Sequence, residues 1–115
     1  NIPIITDDRL KEMSFGSYEG TANCITTPGC PIKDLFLDPA NYKVPKDGGE
    51  SFKQLFARTG EFLKEVVKPQ LDEGKDVLIV GHGAMNSSII CQVKGIPLSE
   101  FWSAGIENCK LKRIL

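Results

Sequence analysis

The sequence predicts an α/β fold: three layers, α/β/α, around a mainly parallel sheet that this chain fills only in part. Three observations predict it. A helical apolar stripe over residues 50–71 is followed by a short apolar run, Val77-Leu78-Ile79-Val80, bounded by Asp76 and Gly81. A second helical stretch covers 84–93, and an alternating stretch closes the chain at 109–115. Helix, strand, helix and strand in alternation indicate a sheet with helices packed on its faces. Only about three strand candidates can be counted, fewer than a parallel sheet usually has, so the sheet reads as incomplete, its N-terminal strands missing.

Taken in order, Ile2 to Thr6 is apolar and β-branched, a short strand candidate. Asp7 to Gly20 reads as a strand exit and a turn-rich loop punctuated by Gly16 and Gly20. Thr21 to Gly49 is loop-like, with Pro28, Pro31, Pro39 and Pro45, and a short helix is expected around Ile32 to Leu37. A loop of this length in a compact domain is usually a lid or a binding loop. From Glu50 to Leu71, Phe52, Leu55, Phe56, Phe62, Leu63, Val66 and Val67 recur at helical steps. Ser51 with Gln54 fits a capping box, in which each side chain satisfies a backbone donor at the helix start. Pro69 is expected to kink or end the last turn, because it lacks an N–H and crowds the turn before it. The Val77–Val80 run reads as a strand buried on both faces. Ala84 to Val93 follows as a helix stopped by Gly95, and Pro97 opens a short turn through Trp102. Cys109 to Leu115 alternates as a terminal strand would.

The chain's 115 residues suit one domain or a large piece of one, and residues 1–115 are read as the C-terminal part of a single domain. Hydrophobic residues make up 41% and charged residues 25%, ordinary values for a globular protein. The net charge of -1, with both signs interspersed, argues against a nucleic-acid or anionic-membrane partner, either of which wants a basic face. No apolar run is long enough to span a bilayer and no signal peptide is visible, so a cytoplasmic location is expected. The chain begins at Asn1, which suggests a processed product or part of something longer. Cys24 and Cys30 share one loop and suit a disulfide, but the scatter of Cys24, Cys30, Cys91 and Cys109 favours reduced structural thiols. With one histidine and no paired cysteine spacing, no metal site is expected.

Chemistry concentrates at two places. His82, in VLIVGHG, stands just past the C-terminal end of a strand candidate and just before a helix, where open α/β sheets bind ligands. The amides of Gly83 and Ala84 would then sit at a helix N-terminus, which favours an anion such as phosphate. A core histidine paired to a carbonyl is the plainer alternative; the flanking glycines favour function. Glu12, in LKEMSFG, follows another strand candidate and could serve as a general acid. A solvated surface carboxylate is at least as good a reading from that segment alone. Arg58 on the long helix reads as an ion-pair partner, Arg9 as a brace for the Glu12 loop, and Glu50 and Ser51 as cap and brace.

Four segments together carry a resemblance. LKEMSFGSYEG resembles the pattern L-x-E-x-x-F-G-x-(W/Y)-E-G that follows a central strand, and GGESFKQLFAR resembles a G-E-S segment opening a long helix. VLIVGHG is similar to a second-histidine motif, and ENCKLKRIL to a closing Asn-Cys strand. In this order they match the histidine phosphatase, or phosphoglycerate-mutase-like, superfamily, phosphatase-type branch. The resemblance implies that Glu12 gives a proton to the leaving oxygen and that His82 donates to the phosphoryl oxygens in the transition state. It also implies chemistry through a phosphohistidine, without metal or organic cofactor.

The family's nucleophile lies in an Arg-His-Gly segment at its first strand, and this sequence has no such segment. The strand–helix units holding the nucleophile and phosphate-clamping arginines are thus expected outside this chain, which alone should not turn over. The implied function is hydrolysis of a small phosphorylated metabolite, since the loop from Gly20 to Gly49, expected to overhang the pocket, reads as compact for a site that must hold a bisphosphate intermediate. Phosphoglycerate-mutase-type transfer and a non-catalytic module that binds a phospho-ligand or a protein are the alternatives. The partner expected for the open sheet is the missing N-terminal segment or a second chain, with homo-oligomerisation possible on the same edge.

Overall fold

The computed structural model describes residues 2–20 and 28–115. Its helices are α1 (Lys33–Leu37), α2 (Phe52–Phe62), α3 (Lys68–Asp72) and α4 (Gly83–Lys94). A π-helical turn, Leu63–Val67, joins α2 to α3 without a break, and 3-10 turns occupy Asp8–Leu10, Gly16–Tyr18, Pro39–Asn41 and Leu98–Ala104.

The expected capping box forms. Gln54 N donates to Ser51 Oγ at 3.1 Å and Ser51 N donates to Gln54 Oε1 at 2.8 Å, satisfying orphan donors of α2. Pro69 does not end the helix but sits in the first turn of α3. The wider turn ahead of it bonds Lys68 N to Leu63 O, so the ladder absorbs the donor that proline lacks. Gly95 ends α4 with φ 68°, the left-handed cap expected of it.

α2 and α4 pack against each other and against Leu98–Ala104. Leu55, Met85 and Phe101 are fully buried, and Phe101 meets Phe52 at 4.8 Å, Trp102 at 4.9 Å and Phe56 at 5.9 Å between ring centroids. A polar seam runs through the same contact: Ser88 Oγ donates to Thr59 Oγ1 at 3.1 Å and Gln92 Nε2 to the same atom at 2.8 Å. The described part of the long loop docks on this body. Ile32 and Leu35 are buried, Phe36 stacks on Trp102, and Trp102 Nε1 donates to Leu35 O at 2.7 Å.

The predicted three-layer α/β/α architecture with a parallel sheet is not what this chain has: no strand forms among the described residues. Residues 2–6, 77–80 and 110–115 all lack regular structure. A strand must hand its N–H and C=O groups to a neighbour, and none of the three candidates pairs with another. Cys109 also takes φ 60°, a turn conformation that breaks the expected terminal strand at its first residue. The run 77–80 is not buried on both faces. Val77 and Ile79 are half-buried, while Leu78 and Val80 are 71% and 80% exposed. The radius of gyration is 15.2 Å, above the about 13 Å of a compact chain of this length, and the longest dimension is 50 Å.

Reduced thiols hold for Cys91 and Cys109, whereas Cys30 is disulfide-bonded and Cys24 lies outside the described residues. A cross-link restricts the unfolded ensemble. Among the described residues no helix is long and apolar enough to cross a membrane.

Candidate functional site

Glu12 reaches its position by a chain of local ties. Asp7 caps the turn Asp8–Leu10 by accepting from Arg9 N at 2.9 Å, and its carboxylate also holds the Arg9 guanidinium at 2.9–3.0 Å. Those hydrogen bonds from Arg9, side chain first and backbone second, hold the Asp7 carboxyl below the usual carboxylate range. Arg9 goes on to Glu61 at 3.1 Å and Glu65 at 2.7 Å on the α2 side, and its guanidinium lies 5.8 Å from the Phe62 ring centre. The brace expected of Arg9 is therefore present, and its donors are spent on carboxylates of the fold.

Beyond this turn the segment doubles back onto the loop before α2. Phe15 N donates to Glu19 Oε1 at 2.6 Å, and Ser17 N to Asp47 O at 2.8 Å. The two backbones touch here: a Cβ on Gly16 would lie 2.0 Å from Asp47 O, and Gly16 has φ +61°. Only glycine meets both demands. Met13, next to Glu12, is 2% exposed and anchors the turn in the core.

The Glu12 carboxylate lies on the N-terminus of α4. Its Oε2 accepts from Ala84 N at 3.1 Å and its Oε1 from Met85 N at 2.9 Å, with Met13 N also donating to Oε1 at 2.9 Å. His82 is the N-cap residue of that helix, with extended backbone and an exposed side chain. Its carbonyl accepts from Asn86 N at 2.8 Å, starting the helical ladder, while Asn86 Nδ2 donates to Gly81 O at 3.1 Å. Gly81 packs on the buried Met85: a Cβ there would lie 1.9 Å from Met85 Cε, so any side chain would push Met85 aside. Gly83 is exposed, and a Cβ on it would stand 3.9 Å from Glu12 Oε2, an ordinary contact.

The four residues singled out in the sequence thus lie at one place, the first turn of α4. The Ala84 amide read as a phosphate donor is occupied by the Glu12 carboxylate. A helix start attracts an anion by its dipole and unpaired N–H groups, and the chain supplies one of its own. Sequence reasoning missed Met85, whose amide is the second helical donor to Glu12, since a backbone role leaves no mark on residue type.

An open cleft of about 560 Å³ lies beside this point, lined by Lys11, Glu12, Ser14, Gly49, Glu50, Gln54 and Arg58. Glu12 belongs to its wall, and His82 does not. The ion-pair role expected of Arg58 is present, and its partner is Glu50, at 2.6 Å. That pairing went unread because the two residues are eight apart across a helix cap. Among the described residues no group of three or more His, Cys, Asp and Glu is placed to hold a metal.

Known proteins align with the chain as a whole. The model of the histidine phosphatase superfamily, branch 1, matches residues 1–115. A putative phosphoserine phosphatase 2 of Hydrogenobacter thermophilus is 31% identical over 115 residues, 96% of this chain and 53% of that protein. Phosphoserine phosphatase 1 of the same organism is 30% identical, over 94% of this chain and 50% of the relative. A 2,3-bisphosphoglycerate-dependent phosphoglycerate mutase of Methanococcus vannielii is 30% identical, over 85% and 42%. The chain therefore spans about half the length of the curated relatives it matches. No solved structure matches it. With its whole described length aligned to one family model, the chain belongs to the histidine phosphatase superfamily, branch 1.

Proposed function

We propose that this chain supplies the proton-donor half of a phosphomonoesterase that works through a phosphohistidine. Glu12 protonates the leaving oxygen and later takes a proton from the attacking water. His82, with the Gly83 and Ala84 amides, donates to the phosphoryl oxygens as charge builds on them. The nucleophilic histidine comes from outside this chain. The observation that carries the reading is the Glu12 carboxylate bound to the first turn of the helix that His82 caps. For a phosphate to take the Ala84 amide, that carboxylate has to let go of it. The released acid then stands within one amide's reach of the incoming group. The phosphatase relatives support hydrolysis of a small phosphorylated metabolite.

The intact protein, expressed from its full reading frame, is assayed on β-glycerophosphate, whose alkoxide leaving group needs protonation, beside its Glu12→Ala and His82→Ala forms. Loss of an acid–base group lowers turnover by about 10²–10⁴-fold, and loss of a charge-stabilising donor by about 10²–10³-fold. Full activity in both variants would falsify the assignment. The mutase relatives favour a second reading, phosphoryl transfer between positions of a phosphoglycerate. Turnover of 3-phosphoglycerate alone, with no hydrolysis of other monoesters, decides for it. A third reading, a non-catalytic module, predicts phosphate binding with no turnover by the intact protein.

A further inference from the structure

One ion pair touches the chain on both sides of Glu12. Arg58, on the second turn of α2, donates from Nε to Glu50 Oε2 at 2.6 Å and from one terminal nitrogen to Glu50 Oε1 at 2.9 Å. The other terminal nitrogen donates to the carbonyl of Arg9 at 2.6 Å, three residues before Glu12. Glu50 holds the other side: its N–H donates to Ser14 O at 2.9 Å, and its Oε1 faces Ser14 N at 3.4 Å, two residues after Glu12. Both side chains are mostly buried, 21% and 15% exposed. Backbone contact fixes the spacing, since a Cβ on Gly49 would lie 2.4 Å from Ser14 O, and Gly49 has φ +82°. Both residues line the same cleft as Glu12.

We propose that the Glu50–Arg58 pair is a positioning clamp for the Glu12 carboxyl group. It touches no reacting atom; it fixes the backbone at Arg9 and Ser14, and with it the reach of the side chain between them. The chemistry demands arginine. Its planar fork spans both Glu50 oxygens and the Arg9 carbonyl at once, whereas a lysine ammonium is one compact charge on a flexible stem. Small errors in placing a reacting group are costly, on the order of 10²-fold for 1 Å. The inference rests on Glu12 being the proton donor, and its test separates the two claims.

Glu50→Gln and Arg58→Lys are made in the intact protein, alone and combined with Glu12→Gln. Each is assayed on p-nitrophenyl phosphate, whose leaving group needs little protonation, and on β-glycerophosphate, whose alkoxide needs much. A defective proton donor slows the second substrate more than the first. Glu50→Gln is expected to lower kcat on β-glycerophosphate at least about tenfold more than on p-nitrophenyl phosphate, with KM unchanged. It should cost nothing further once Glu12 is already Gln. Arg58→Lys should follow the same pattern more weakly, and it carries the comparison if Glu50→Gln does not fold. Equal losses on both substrates, losses that multiply with Glu12→Gln, or no loss at all overturn the clamp while leaving Glu12 in its role. A Glu12→Gln protein without leaving-group dependence defeats the proton-donor reading and the clamp together.

Discussion

The same kinds of residue behave in opposite ways in two regions of this molecule. In α4, Met85, Ile89 and Ile90 are 0–4% exposed, whereas Ile4, Leu78 and Val80 in the unpaired segments are 71–92% exposed. Hydrophobicity does not separate them; backbone hydrogen bonding does. A helix closes its own N–H···O=C bonds and needs only an apolar neighbour for one face. A strand cannot be satisfied until another strand lies beside it. The helical body therefore assembles from α2, α4 and Leu98–Ala104, around Phe101, while residues 2–6 and 77–80 leave apolar side chains in solvent.

The sharpest break of this comparison is at Phe101. It is fully buried and in ring contact with Phe52, Phe56 and Trp102, so it joins Leu98–Ala104 to α2. Phe101→Ala should cost about 3–5 kcal/mol, a large share of what a chain of this size has. Urea unfolding followed by Trp102 fluorescence is expected to show the cooperative transition lost or moved to far lower denaturant. A midpoint near that of the parent would mean that the body does not depend on this cluster.

Legibility followed the same divide. The helix over 50–71, its Ser51–Gln54 cap and the Gly95 stop could be read because propensity, periodicity and capping are local. The expected sheet rested on the pattern of Val77 to Val80 and its counterparts and does not form among the described residues, since pairing needs partners that a one-dimensional pattern does not supply. At the site, residue type marked Glu12 and His82, and the glycines marked close approach. The Ala84 and Met85 amides on the Glu12 carboxylate were not legible. Neither was the fork of Arg58 between Glu50 and Arg9. The contacts of Glu12 with Ala84 and Met85, and of Arg58 with Arg9, cross more than forty residues of chain and are made through backbone atoms that every residue shares.

A weaker effect tests where the open N-terminal segment meets the body. The hydrogen bonds from Arg9 hold Asp7 below its ordinary range, so the folded state favours its charged form. That stabilisation is complete above the ordinary aspartate value of about 3.9 and is lost as pH falls through the lower folded value. Stability should therefore decline below about pH 4, and an Asp7→Asn chain should show a shallower decline over the same interval. The pair is partly exposed, so the difference is small, within the about 0–1 kcal/mol typical of such contacts. Urea midpoints at pH 5 and pH 3 measure it, and identical acid losses in the two chains would remove Asp7 from the account.

The smallest effect in this chain is the most discriminating. Leu78 is 71% exposed, so replacing it with serine removes almost no buried surface. Leu78→Ser should shift the urea midpoint of this chain by no more than about 0.5 kcal/mol, as surface changes do. The informative comparison is the same substitution in the intact protein, because residues 77–80 lead through Gly81 to His82 and α4. If the added segment pairs with this run, Leu78 becomes covered, and the same substitution costs about 2–5 kcal/mol, the range for truncating a buried leucine. Equal, negligible shifts in both proteins would mean that Leu78 stays in solvent in the intact molecule. His82 would then be aimed by the first turn of α4 alone, with no strand behind it.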